Sequence, residues 1–192
     1  MLKATVSDKN QIVTILCDAF EEITIPNSIN FVVKQDQYRK KRLKVLMEYL
    51  VDTTFLFGDI YLSASKNTCL LIQYPHLKKT TLKTILFDIR LAFKCIGIFR
   101  IFKVLKREIV LNKCHIKEPH IHPIIMATKY NNKGKGSGYR LIKQVLEKYQ
   151  SNKLPIIIET TTLENIKLYE HFGFSIFKKT NQFDYPLYFL KK

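Results

Sequence analysis

The sequence predicts a mixed α/β fold with an antiparallel part. Three observations predict it. Segments of helical period alternate with short apolar runs, but not in a strict strand–helix repeat. A hairpin stands among the early elements, because residues 55–63 and 68–73 read as strands around a turn at Ser65 to Asn67. Further on, Pro155-Ile156-Ile157-Ile158 opens a continuous apolar run, the mark of a strand buried on both faces. With 192 residues, 46% apolar and 25% charged, the chain suits one domain, residues 1–192, with a real core. Disorder, collagen and coiled coil are excluded on the same numbers.

The elements follow in order. Residues 2–6 read as a short strand. Residues 7–20 read as a helix, since Ile12, Val13, Leu16, Ala19 and Phe20 recur at helical spacing behind the N-cap candidate Ser7. Pro26, Asn27 and Ser28 mark a loop. Residues 38–51 form the second expected helix, with Leu43, Leu46, Met47 and Leu50 inward. After the hairpin comes a helical insertion between the third and fourth strands. This segment, 77–117, holds eleven basic and two acidic residues. Its apolar positions 82, 85, 86, 89, 93 and 96 are helically spaced, and Gly97 divides it. Two accounts stand: a helical pair covering the core, or a cationic lid or membrane-surface helix. Residues 120–128 are the fourth strand, where Pro123 demands an edge or a bulge. A glycine-rich loop then opens a helix with Leu141, Ile142, Val145, Leu146 and Tyr149 on one face. Thr161 and Glu164 have capping-box spacing for a short helix, 165–172, closed by Gly173. Residues 174–178 and 185–190 are the last strands.

Lys plus Arg is 32 and Asp plus Glu is 16, a net charge of +16. Only six of the basic residues are Arg. Arginine is the usual instrument of base readout, so a specific nucleic-acid module is not expected. The four cysteines, Cys17, Cys69, Cys95 and Cys114, are widely spaced without a C-x-x-C. That predicts neither a disulfide framework nor a zinc finger, and fits a reducing, cytoplasmic setting. The opening residues carry no signal-peptide pattern. Charges interrupt the most apolar region, 82–111, so no membrane span is expected.

The chemistry centres on Lys133-Gly134-Lys135-Gly136-Ser137-Gly138. Glycines let the backbone approach a ligand, and successive N–H groups opening a helix form an anion-binding hollow. A phosphate or pyrophosphate is the expected ligand. Tyr139 follows Gly138, which breaks a Walker A pattern. Tyr139 also takes the third glycine position of a dinucleotide fingerprint. Glu159 lies about where a ribose-binding acid would, so that rival stays open.

The loop resembles the [RQ]-x-x-G-x-[GA] pyrophosphate loop of the GNAT family of N-acetyltransferases. Ile158-Glu159-Thr160, Asn165, Leu168-Tyr169 and Phe172-Gly173-Phe174 resemble that family's acetyl-CoA half, here 118–178. Lys117-Glu118-Pro119 resembles its puromycin N-acetyltransferase-like branch. The resemblance implies an α+β fold with a mixed, mostly antiparallel sheet flanked by helices, acetyl-CoA as cosubstrate, and direct attack on the thioester by a primary amine of a small molecule or peptide. It implies coenzyme contacts from Met126, Ala127 and Thr128, from Lys133, Gly134, Lys135, Gly136, Ser137 and Gly138, and from Asn165 and Tyr169. Tyr169 would be the acid for the departing thiolate. Glu159, at the end of the buried strand, is the candidate base, with a pKa raised by burial and acting through water; orienting a backbone amide is the other account. Glu118, Glu21 and Glu22 are further acids that would face the amine.

His120 and His122 alternate on one strand face and would line the acceptor pocket. Even with Cys114 and His115 nearby, no metal site is expected. Residues 20–38, the hairpin and the basic segment would supply the rest of that pocket. Lys133 departs from the usual Arg or Gln, and Pro123 is unusual in such a strand. A non-catalytic coenzyme-binding protein and a basic nucleic-acid-binding module are the alternatives. Either a monomer or a homodimer fits.

Overall fold

A computed structural model describes all 192 residues. The chain opens with β1 (Leu2–Lys3), α1 (Lys9–Phe20), the short α2 (Ser28–Val32) and α3 (Arg39–Phe57). The hairpin β2 (Gly58–Leu62) and β3 (Thr68–Gln73) follows. Then come α4 (Leu82–Leu91), α5 (Ile101–Cys114) and β4 (His122–Thr128). The last part runs α6 (Ser137–Tyr149), β5 (Ile157–Thr160), α7 (Leu163–His171), β6 (Ser175–Thr180) and β7 (Leu187–Lys191). Strands pair antiparallel as β1-β2-β3-β4 and as β5-β7-β6. A single parallel bridge, Ile121 to Ile156, ties the two sheets. The expected mixed, mostly antiparallel α+β architecture is present, with its helical insertion between the third and fourth strands.

Alternation along β3 explains why every one of its side chains is buried. Cys69 and Leu71 face α1 and α3, where Ile12, Leu16, Leu43 and Met47 close one core. Leu70 and Ile72 face the other way, against Leu141, Val145 and Tyr149 of α6. The sheet is thus packed on both faces. In β4, Leu71 opposes Ile125 while Ile72 opposes Pro123, leaving Ile124 as an extra residue. Pro123 called for an edge or a bulge, and β4 has both, as the last strand of its sheet and as a bulged one. The bulge also shifts the alternation: Ile121 and Met126 join the α6 core, whereas Ile125 and Ala127 join the α1/α3 core.

Several elements depart from the sequence expectations: β1 stops at Lys3, and a 3-10 turn, Val6–Asp8, makes Asp8 rather than Ser7 the N-cap of α1. The third helix runs on to Phe57, and the strand begins only at Gly58. Aromatic and apolar residues 55–57 suit either element, and packing on the core decides for helix. The loop at Pro26 to Ser28 leads into α2, capped by Asn27, whose side chain accepts from Asn30 N–H at 2.9 Å. Thr162, not Thr161, is the N-cap of α7. Finally, α4 is turned over relative to the core-covering account. Tyr49 donates to Asp88 at 2.8 Å, Arg90 pairs with Glu48 at 2.5 Å, and Leu91 packs on the α1/α3 core. This leaves Leu82, Ile85, Leu86, Ile89 and Phe93 exposed; of the six spaced positions only Ile96 is buried.

Gly58 sits where α3 meets β2, with its backbone against β3. A Cβ there would lie 1.9 Å from the Ile72 carbonyl oxygen. Backbone cannot yield as a rotamer can. Gly58→Ala is expected to destabilise the fold by about 3 kcal/mol or more, read as a lowered midpoint in thermal or urea unfolding.

Candidate active site

β4 and β5 start together and then separate. Ile121 N–H donates to Pro155 C=O and Ile157 N–H to Ile121 C=O, each at 2.9 Å. Beyond that bridge the strands form no ladder, so the edge of β4 facing β5 keeps free backbone donors and acceptors. Met126, Ala127 and Thr128 lie on this open stretch. Between the strands and α6 is an apolar hollow lined by Ile121, Met126, Ile142, Leu146, Ile158 and Tyr169, among others.

The glycine loop stands where β4 ends. A short 3-10 turn, Tyr130–Asn132, leads into it. Gly134 and Gly136 have φ of +76° and +72°, a region that disfavours any side chain. Gly136 is the N-cap of α6, so the first N–H groups of that helix point out of the loop. A Cβ on Gly138 would press within 3.3 Å of the Met126 Cε, so this glycine lets α6 sit close on β4. Ser137 Oγ bonds Thr68 Oγ1 at 2.7 Å, and Thr68 bonds Thr128 at 3.0 Å, which ties the loop to both strands. Lys133 and Lys135 are exposed, and Lys133 Nζ lies 5.1 Å from the Tyr130 ring centre.

Tyr169 of α7 lines the hollow and stacks edge-on with Phe174. Burial pushes its phenol pKa up, so it stays protonated at neutral pH. Asn165 is one turn earlier and exposed. Gly173, at φ +83°, ends the helix as expected.

On the other face of the split strands the fold gathers three histidines and a glutamate, with an arginine nearby. His115, at the end of α5, donates from Nε2 to Glu159 Oε1. His122 Nε2 is 3.6 Å from the same oxygen. The His115 ring lies 4.9 Å from that of His122 and 5.7 Å from that of His120. Arg107, on the buried side of α5, donates to Tyr185 Oη at 2.9 Å and adds positive charge.

The protonation pattern follows from these contacts. Burial alone would raise the Glu159 pKa, as expected from the sequence. It is outweighed by the His115 hydrogen bond and the nearby His122 and Arg107, which hold the carboxyl below its usual range. Burial pushes His122 down to about 3 and lowers His120 as well. His120 Nδ1 is 2.8 Å from the Glu118 carbonyl oxygen, which can only accept, so Nδ1 carries the proton. Nε2 is then a lone pair. It is buried with no partner in the folded chain.

His115, His122 and Glu159 each offer a donor atom within 4.8 Å of the others. That spacing accommodates a divalent cation as well as a shared proton. The sequence marked His120, His122 and Glu159. It gave no functional weight to Arg107 and little to His115, because both reach the cluster from the insertion. Glu118 is exposed and enters the cluster only through its backbone.

Solved structures share this architecture. One from Corynebacterium glutamicum, described as histone acetyltransferase HPA2 and related acetyltransferase, superposes with a TM-score of 0.68 at 19% identity, covering 100% of this chain and 93% of that one. The chain has the GNAT acetyltransferase fold. Arylalkylamine N-acetyltransferase 2 from Aedes aegypti matches with 0.62 at 14% identity, covering 100% and 96%. The C-terminal condensation domain of Ebony, in complex with beta-alanyl-dopamine, matches with 0.65 at 8% identity, also covering 100% and 96%. No protein-family model and no curated protein matches the sequence. At such identities the acetyltransferase fold is what the likeness establishes.

The cluster makes stability pH-dependent. His122 has a folded pKa of about 3 against about 6.5 in an unfolded chain, so the unfolded state binds more protons between those values. Stability therefore falls as pH drops through that window. The depressed Glu159 works in the same direction, its contribution being lost on acidification. Thermal midpoints measured from about pH 7 down to about pH 5 should decline, and decline less in His122→Asn. Equal slopes for both proteins would contradict this account.

Proposed function

We propose that this protein transfers the acetyl group of acetyl-CoA to a primary amine on a small molecule or peptide, as an acyltransferase. One observation carries the reading. The split between β4 and β5 has a helix-opening glycine loop at its mouth, an apolar hollow with Tyr169 on one face and the histidine–glutamate cluster on the other. The pyrophosphate would rest on the loop amides of residues 133–138, with Lys133 and Lys135 as point charges. The pantetheine arm would pair with the open edge of β4 at Met126 to Thr128. Asn165 would contact the coenzyme from α7. A net charge of +16 would concentrate a polyanionic coenzyme near the protein.

The chemistry then has two proton tasks. Only the neutral amine attacks the thioester carbon. The tetrahedral adduct collapses, the C–S bond breaks, and the thiolate takes a proton from Tyr169. The amine's proton goes to His120 Nε2, the buried acceptor that lacks a donor. Glu159 then acts through the cluster: its charge, shared with His115 and His122, stabilises the imidazolium that forms. This replaces the base role expected for Glu159 with an electrostatic one. The puromycin N-acetyltransferase-like branch rests on Lys117-Glu118-Pro119 alone, so the acceptor is proposed only as an amine. Four free thiols fit the reducing cytoplasm.

Acetyl-CoA and CoA should raise the thermal midpoint, and NAD or duplex DNA should not. Gly136→Val should remove that shift, since its φ is +72° and a Cβ would lie 3.0 Å from Arg140 Nη1. Tyr169→Phe and His120→Ala should keep the shift but lower turnover of an amine panel, His120→Ala by about a hundredfold or more. A DNA shift without a CoA shift would overturn the proposal. A CoA shift without thiol release for any amine would leave a non-catalytic coenzyme-binding protein.

A further inference from the structure

The insertion presents an apolar face to solvent, and its neighbours are cationic. Along α4, Leu82, Ile85, Leu86 and Ile89 share one helical stripe, Phe93 follows in the π-helical turn Ala92–Ile96, and all are exposed. After Gly97, Ile98 and Phe99 are exposed, as are Phe102, Leu105 and Ile109 at helical spacing in α5. Leu82 is 83% exposed, Phe102 82% and Phe99 99%. The core does not need these side chains. The insertion is held instead by Cys95, Ile96, Val104 and Leu111, by the Arg90–Glu48 pair and by Arg100, which donates to Phe31 C=O at 2.6 Å.

The charges decide what suits this face. Segment 77–117 carries eleven basic and two acidic residues. Both acids are engaged, Asp88 with Tyr49 and Glu108 with Arg107. Lys79, Lys83, Lys94 and Lys106 are exposed and make no ion pair. A second copy of this chain would bring +16 against +16. A nucleic-acid backbone would meet the lysines but leave the phenylalanines in water. No helix is long and apolar enough to cross a bilayer. An interface with apolar depth and a negative surface satisfies both features.

We propose that α4 and the start of α5 dock this protein on an anionic lipid surface, with the apolar stripe in the acyl boundary and the lysines at the headgroup phosphates. This is independent of the acetyl-transfer reading. Sedimentation with vesicles tests it. The protein should pellet with vesicles containing phosphatidylserine and not with phosphatidylcholine alone. The double variant Phe99→Ser/Phe102→Ser should lower partitioning about tenfold or more, given the area each ring buries. Its thermal midpoint should be unchanged, because neither ring packs in the core. Undiminished binding of the double variant would reduce the face to a lysine field and overturn the proposal. Absence of vesicle binding would also overturn it, whether the face then serves self-association or an acidic protein.

Discussion

Everything that bears on function depends on one short contact, the parallel bridge between Ile121 and Ile156. Two backbone hydrogen bonds hold the strands together there, and nothing holds them together further on. Had β4 and β5 stayed paired, the sheet would be continuous and its backbone groups spent on one another. Their separation leaves an unpaired strand edge inside the protein. Such an edge is unfavourable unless a ligand or water satisfies it, so a fold that keeps one is a fold with a cleft. The bulge at Ile124 adjusts the neighbourhood of the bridge. It lets Ile121 and Met126 serve the apolar face while His120 and His122 remain on the other.

The two faces of that cleft have opposite electrostatic characters, and this gives the proposed chemistry its direction. On the α6 face the lining is apolar, and burial keeps the Tyr169 phenol protonated. On the α5 face, Glu159 is ionised, with two histidine rings within reach of one oxygen. There burial opposes a charge on His120 and His122, while the carboxylate favours one on His122. In the proposed reaction a proton leaving the amine would meet the lone pair on His120, whose ring neighbours the His115 that pairs with Glu159. Neither face is sufficient alone. The fold brings them together only across the width of one strand gap.

Much of this was legible locally. The glycine loop is recognisable because positive φ at Gly134 and Gly136 is a requirement that few residues meet. Tyr169, Asn165 and Gly173 fall at fixed spacing on one short helix. Pro123 announced an edge or a bulge because proline lacks the ladder donor. The long-range partners were not legible. His115 and Arg107 belong to the insertion, far in sequence from Glu159, and no local pattern marks a residue for a partner 44 or 52 positions away. The direction of the Glu159 shift was hidden for the same reason: burial is readable from an apolar strand, but the opposing charges are not.

The orientation of α4 makes the same point for a whole helix. Its hydrophobic period is real and predicts a buried stripe. Yet Tyr49, Glu48 and the α1/α3 core take hold of the opposite side, and the stripe faces water. By itself, then, the sequence determined most of the order of elements, the early hairpin, the glycine-rich loop that opens α6 and the residues proposed to contact the coenzyme, because each rests on short-range geometry. Only the tertiary structure decided where β4 and β5 part, which charges surround Glu159, that His120 holds an unpartnered lone pair, and which way the insertion turns. Those depend on contacts between distant segments, whose energies outweigh what any single segment prefers.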